Sequence, residues 1–374
     1  MLMRLFENFV LKATDWWFRV TTIERFLVGG SLTLIATIYA GPRLLEIILR
    51  LAVDSIPEGV LQAQWALDLV DGWILMICSS LIVVGVALAV TRERRDAKLR
   101  SKTRVLAIEA RGLRDDNGSP LSETIAKHYK ATVTVILLDL RNRMDGKVIQ
   151  PERALDEIAT AQRSVLQHQK DGDRADLTTV YGGLTSVPYT FLTGVLLDDE
   201  GKLVTYDWDR TQEAWRKIEG DDDEVGFQVE GLETISDASE VVVALAYSYP
   251  INDGDLSTTF NLPAVRLTLE RMSSDAHWSQ KKQNRLAQKF LEITKQLSAK
   301  GVKRIHLVLA APNSVVFTFG RRYDKRNLPE LVVYQYQRGE VPAYPWGVLM
   351  PVSSVDKARV LYSADTPNLK AKAL

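Results

Sequence analysis

Two stretches late in the chain carry residue types that together suit a phosphate-bearing ligand. From Arg304 the sequence reads RIHLVLAAPNSVVFTFG, an apolar strand-like run into Ala310 and Ala311, with Pro312, Asn313 and Ser314 opening a helix. Proline in a first helical turn gives up an N–H that would be orphaned anyway. The remaining free N–H groups and the positive end of the helix dipole then favour an anion. Phosphate is the obvious candidate. Another strand-like run, VVVALA from Val241 to Ala246, leads shortly into Ser248 and Tyr249. Earlier in the chain, the expected equivalents are Arg141 and Asn142 after a strand, then Tyr181, Gly182, Gly183 and Ser186 ahead of Pro188. Arginine pairs with phosphate and tyrosine stacks on bases. Any one of these residues also suits ordinary capping or turn chemistry, so only the constellation points to a ligand.

Other chemistries lack their usual residues. The chain has no G-x-x-x-x-G-K-[ST] loop, no G-x-G-x-x-G after a strand, no H-E-x-x-H and no G-x-S-x-G, which removes the common support for ATP hydrolysis, dinucleotide redox, zinc proteolysis and serine hydrolysis. A single cysteine, Cys78, excludes an intrachain disulfide. The four histidines, His128, His168, His277 and His306, are too scattered for zinc spacing. Asp221 to Glu224 reads as a solvated acidic loop, and Asp253 and Asp255 around Gly254 read as a turn. No nucleophile is presented with a base, so the expectation is a binding protein without catalysis, cofactor or metal. The 47 Lys and Arg balance 47 Asp and Glu, which argues against a partner of long nucleic acid.

The elements that must position these residues begin near Arg104. Val133 to Asp139 and Val241 to Ala246 are continuous apolar runs rich in β-branched residues, the pattern of strands buried on both faces of a mostly parallel sheet. Helical segments follow each, from Pro151 to about Gln169 and from His277 to about Lys300. Each half then repeats a strand, a proline, a short apolar helix and a glycine. The pairs are Pro188 with Gly194 and Pro312 with Gly320, six and eight positions apart. Strands recur at Leu203 to Arg210 and Leu331 to Arg338. This order suggests a duplicated Rossmann-like α/β unit, with two unrelated α/β halves as the alternative. Duplication implies a pseudo-twofold axis. Ligands of open α/β sheets bind outside the carboxyl ends of the strands, so a ligand with its own repetition would suit it.

The first 90 residues have a different character. Phe26 to Pro42 and Trp73 to Val90 carry no charge and would span roughly 26 and 27 Å as helices. The expected organisation is an interfacial amphipathic segment at 1–25, a transmembrane hairpin at 26–90 and a basic linker helix at 91–103. Two α/β halves follow, at 104–235 and 236–374. A pair of buried core helices is the alternative for the hairpin. Arg92, Arg94, Arg95, Lys98, Arg100, Lys102 and Arg104 crowd the exit of the second span, and Arg4, Lys12, Arg19 and Arg25 precede the first, so both termini are expected in the cytoplasm. Gly29, Thr33, Thr37 and Gly41 recur every four positions and would let another helix approach closely.

At VYGGLTSVPYTFLTGVLLDDEGKLVTYDWDRTQEAW, RIHLVLAAPNSVVFTFGRRYD and LPELVVYQY, together with DLRNRMDGKVIQPERAL, the chain resembles the SAVED domain, a fusion of two CARF-like, Rossmann-type halves. The resemblance implies an α/β fold of two transmembrane helices followed by that domain. It also implies a receptor for a cyclic di- or trinucleotide made by a cyclic-nucleotide synthase in bacterial anti-phage signalling. For the ligand it implies Ser248, Tyr249, Ala311, Pro312, Asn313 and Ser314 in the second half and the Tyr181 to Ser186 loop in the first. With two spans ahead, the chain looks like a membrane effector. Ligand binding would assemble a homo-oligomer, bring the spans together and disrupt the bacterial inner membrane, giving abortive infection. Three readings stay open beside it: a pocket that also cleaves its ligand, a sensor of CRISPR-generated cyclic oligoadenylates, and a membrane-tethered α/β domain binding a metabolite or protein.

Overall fold

Gln64–Lys102 forms one uninterrupted helix of 39 residues, α1, about 58 Å long at 1.5 Å per residue. The computed structural model describes residues 23, 26–33, 35, 64–102, 104–113, 119–129, 131–141, 143–144, 147–148, 150–170, 176–197, 202–323, 327–352, 355 and 357–365. The chain divides into two units, 1–99 and 100–374. In the first, Trp73–Arg95 is long and apolar enough to cross a membrane, the one such helix among the described residues. It exposes Trp73, Met76, Ile77, Val83 and Val84, as a lipid-facing helix does. The basic stretch expected as a separate linker continues α1 without a break. Of the other expected span, residues 26–33 and 35 are helical. Its remainder, with Thr37 and Gly41, lies outside the described residues, as does the amphipathic segment apart from Ile23. Thr33 donates its hydroxyl to the Gly29 carbonyl oxygen at 2.8 Å.

The second unit contains the same chain path twice. The first half runs β1 (Arg104–Arg111), α2 (Leu121–His128), β2 (Thr132–Asp139), a small hairpin of β3 (Arg143–Met144) and β4 (Lys147–Val148), α3 (Pro151–Lys170), β5 (Leu177–Leu184), α4 (Val187–Leu196), β6 (Leu203–Asp209) and β7 (Ala214–Lys217). After β8 (Phe227–Glu230), the second half runs β9 (Glu240–Ala246), α5 (Asp253–Thr259), β10 (Ala264–Leu269), α6 (Gln280–Ala299), β11 (Arg304–Ala310), α7 (Asn313–Arg322), β12 (Glu330–Gln335), β13 (Trp346–Leu349) and β14 (Arg359–Tyr362). The sheet orders are β2-β1-β5-β6-β7 and β14-β13-β12-β11-β9-β10-β8. In each, four parallel strands end in an antiparallel one, β7 or β13. The halves therefore share one topology.

Strand order corrects the sequence alignment of the halves. The counterpart of β9 is β1, while β2, the VTVILLD run, corresponds to β10. Nor is β2 buried on both faces. Among the described residues it is an edge strand hydrogen-bonded only to β1, and Val135 and Leu137 are 45% and 49% exposed. β8, expected within the first half, pairs antiparallel with β10 of the second.

Two acidic turns take on detail. The run at 221–224 is a loop exposed at Asp221, Asp223 and Glu224, as expected, and it is also tied to α6. Arg285 of α6 donates to both Asp222 carboxylate oxygens, at 2.9 and 2.8 Å, and Lys282 reaches Asp223 at 2.9 Å. The Asp253 to Asp255 turn is the first turn of α5, capped by the Asn252 side chain, which accepts from the N–H groups of Gly254 and Asp255.

One apolar core joins the halves, drawing on Leu106, Tyr181 and Phe191 from the first and Val243, Phe317 and Phe319 from the second. Helices α4 and α7 cross at its centre. A β-carbon at Gly194 would strike the Phe317 carbonyl oxygen, and one at Gly320 would strike the Phe191 carbonyl oxygen. The two glycines noticed in the sequence are thus the crossing point. The unequal proline spacing also resolves. The N-caps are Ser186 and Pro312, so cap-to-glycine is eight positions in both halves, and only the proline has shifted.

Candidate ligand-binding site

The carboxyl ends of β5, β6, β9 and β11 open onto one cavity of about 350 Å3, in the range of small-molecule sites. Both halves contribute. Ser186 and its neighbour Thr185 approach from the start of α4, and Asp207, Trp208 and Arg210 from the end of β6. Ser248 and Tyr249 follow β9, and Ala311, Pro312 and Asn313 precede α7. The loop ahead of α6 adds Asp275, His277 and Trp278, and Gln335 comes from β12.

Six of the expected binding residues therefore meet here: Ser186, Ser248, Tyr249, Ala311, Pro312 and Asn313. Tyr249 is 55% exposed at the mouth. Asn313 ties the halves together, its side-chain oxygen accepting from the Thr185 N–H at 3.1 Å and the Thr190 hydroxyl at 2.7 Å. Ser314 stands behind the wall, with its hydroxyl accepting from Gln283 at 3.1 Å.

The others lie elsewhere. Tyr181 is buried in the shared core and stacks on Phe317 with ring centroids 3.7 Å apart, a contact worth about 0.5–1.5 kcal/mol. Gly182 and Gly183 are interior positions of β5. A β-carbon on the first would crowd Leu121 and Trp215, and one on the second would strike the Tyr181 hydroxyl, so packing explains both. Arg141 follows β2, not β1, and borders a different cavity with Arg153 and Glu157. There it pairs with Asp139, Nε to Oδ1 at 2.7 Å, which holds the Asp139 carboxyl below the usual range. The position equivalent to Ser248 is Leu113, which does line the cavity between the halves.

The expected anion site at the start of α7 is already occupied by the protein. Asp207 Oδ2 accepts from the Ser314 N–H at 2.9 Å, and its Oδ1 from the Trp208 N–H at 2.8 Å. At α4, Gln335 Oε1 accepts from the Val187 N–H at 3.2 Å. Both helix starts are capped from the opposite half, by a carboxylate at α7 and an amide at α4, so the Ser314 and Val187 N–H groups are not vacant for phosphate.

Sequence reasoning missed His277, Trp278, Trp208, Arg210 and Asp207. The signal for the last three was present in the aromatic, charged end of the first-half strand. His277 is 5% exposed, with Nε2 3.7 Å from Asp207 Oδ2. Burial pushes its imidazole pKa down against the opposing pull of Asp207. The His277 and Trp278 rings lie 4.3 Å apart, and the Arg216 guanidinium sits 4.5 Å over the Trp278 ring. No cluster of metal-ligating side chains occurs among the described residues.

A family profile for the SAVED domain, the SMODS-associated and fused to various effectors sensor domain, matches residues 159–350, or 192 of 374. A SAVED-fused 2TM effector domain matches residues 3–155. Their junction falls in α3, so β1, α2 and β2 lie in the effector match although their strands hydrogen-bond into the first sheet. No curated protein matches the chain. A solved structure of the Acinetobacter baumannii Cap4 SAVED/CARF-domain containing receptor with the cyclic trinucleotide 2′3′3′-cAAA is similar at TM-score 0.45 and 12% identity, over 76% of this chain and 60% of that one. The Moraxella osloensis Cap4 SAVED/CARF-domain containing receptor is similar at TM-score 0.41 and 13% identity, over 78% and 60%. This chain thus spans about 60% of the length of those receptors.

Proposed function

Because the chain belongs to the SAVED family of sensor domains and carries a membrane-associated 2TM effector segment ahead of it, we propose that it is a receptor for a cyclic di- or trinucleotide that acts on the bacterial inner membrane. The observation that carries this reading is one cavity walled by strand ends of both halves, with Tyr249 and Trp278 for stacking and Arg210 for phosphate. A cyclic-nucleotide synthase supplies the ligand. Both termini face the cytoplasm, and the ligand-bound domains associate into a homo-oligomer. That association requires the ligand to bind the assembled state more tightly, because equal affinity for both states shifts nothing. Clustering draws the membrane helices together through the face that includes Gly29 and Thr33, and the loss of membrane integrity aborts infection. The domain acts as a receptor without turning its ligand over, so chromatography after long incubation returns the ring intact.

The experiment is dye release from vesicles holding the full chain, with a panel of cyclic di- and trinucleotides added outside the cytoplasmic domain. One ring is expected to trigger release. Gly29→Leu with Gly41→Leu should retain ligand binding and lose release. Release by that double variant at the wild-type rate contradicts the helix-packing step.

A further inference from the structure

We infer that the depth of the cavity reads an uncharged nucleobase edge through Trp208, Ser248 and His277, while the phosphates stay at the rim. This rests on the reading of the cavity as a cyclic-oligonucleotide site. The large majority of buried side-chain polar atoms in folded proteins have hydrogen-bond partners. Here Trp208 Nε1 and Ser248 Oγ are buried without one, and the buried His277 ring has the Ser274 backbone and Asp207 close by but neither in good hydrogen-bond geometry; all three residues line the same cavity. His277 Nε2 lies 3.7 Å from Asp207 Oδ2, beyond hydrogen-bond length. Such a cluster is what a ligand's own donors and acceptors would complete.

The chemistry of the cluster selects an uncharged polar edge. Indole Nε1–H only donates, a serine hydroxyl does both, and a neutral imidazole offers one donor and one acceptor. That mixture matches the alternating donors and acceptors along a base edge. A phosphate would meet the carboxyl groups of Asp207 and Asp275 in the lining. The N–H groups of Ser314 and Val187 are already taken. Arg210, exposed at the end of β6, is the cationic partner left for phosphate at the rim.

The test uses the full chain in detergent micelles. Cyclic di-AMP, cyclic di-GMP, cyclic triadenylate and cyclic triuridylate serve as probes, and Trp208→Phe and Ser248→Ala as variants. Ser248→Ala deletes one polar atom and keeps nearly the same shape, while Trp208→Phe deletes Nε1 together with two ring carbons beside Trp215. For the ring that wild type binds, each should weaken binding about tenfold and leave the salt dependence unchanged, because the phosphate contacts remain. The ligand-free melting temperature of Ser248→Ala should hold or rise, since an unpaired buried group has been removed, and that of Trp208→Phe should fall because the smaller ring leaves a cavity. Wild-type affinity in both variants would overturn the inference, as would a ligand-free melting temperature of Ser248→Ala lowered enough to account for its weakened binding. A reduced salt slope would place phosphate at depth and overturn it too. If wild type binds none of the four rings, the parent reading falls and this one with it.

Discussion

Asp207 and Gln335 hold equivalent places in the two halves, and each caps a helix of the other half. The register pairs Gly182 with Tyr206 and Leu307 with Val333. Aligning the N-caps Ser186 and Pro312 then brings Asp207 of β6 onto Gln335 of β12. Asp207 accepts from the Ser314 N–H of α7, and Gln335 from the Val187 N–H of α4. This reciprocal exchange locks the halves together beside the cavity. The duplicated fold keeps the geometry while one partner is acidic and the other neutral.

The asymmetry predicts unequal costs. Asp207→Ala removes an acceptor from two buried N–H groups and should lower stability by about 1–3 kcal/mol, the range for hydrogen bonds to charged groups or for donors left unsatisfied. Gln335→Ala removes a longer bond to a neutral acceptor and should cost about 0.5–1.5 kcal/mol. Urea denaturation of the two variants measures the order, and a costlier Gln335→Ala would contradict it.

The crossing of α4 and α7 predicts intolerance of a single methyl group. Gly194→Ala or Gly320→Ala forces a β-carbon into a carbonyl oxygen of the opposite helix, so each should destabilise by about 1–3 kcal/mol as overpacking does. The double variant should cost less than the sum, because both methyl groups open the same contact. Additive losses in denaturation would mean that the two sites relax independently.

The repeat was legible in the sequence because Pro, Gly and the apolar helix between them are local signals. So were the strands at Val241, Leu203 and Leu331. What escaped was nonlocal. VTVILLD carries the composition of a central strand, yet its neighbours are set by chain topology, and among the described residues only β1 pairs with it. Arg141 was assigned to the site by that same misplaced alignment, and Tyr181 by reading as a loop a stretch that β5 continues through to Leu184. Asp207 and His277 come together from positions 70 apart, and no spacing rule signals such a meeting. The start of α7 looked open to an anion because its cap comes from residue 207, in the other half.

Acid sensitivity should trace partly to the clamped loop at 221–224. Hydrogen bonds from Arg285 lower the Asp222 pKa to about 2, against about 3.9 in an unfolded chain. A depressed folded pKa contributes stability that is fully present above pH 4 and is lost as pH falls through about 2. Melting temperature measured from pH 5 to pH 2 should fall less steeply for Asp222→Asn than for wild type, from a lower starting value. Identical slopes would show that this pair does not govern the acid limb.

The central claim is that the two-half cavity is a cyclic-oligonucleotide receptor, and the most direct measurement is the melting temperature of the full chain in detergent, titrated with cyclic di- and trinucleotides. A ligand that binds only the folded state adds RT ln(1 + [L]/Kd), about 2.7 kcal/mol at a 100-fold excess over Kd. The account predicts that one ring raises the melting temperature of wild type, and that the shift shrinks when Arg210 is changed to Gln and Tyr249 to Ala. A melting temperature unmoved by every ring, or a shift of full size in that double variant, would contradict it.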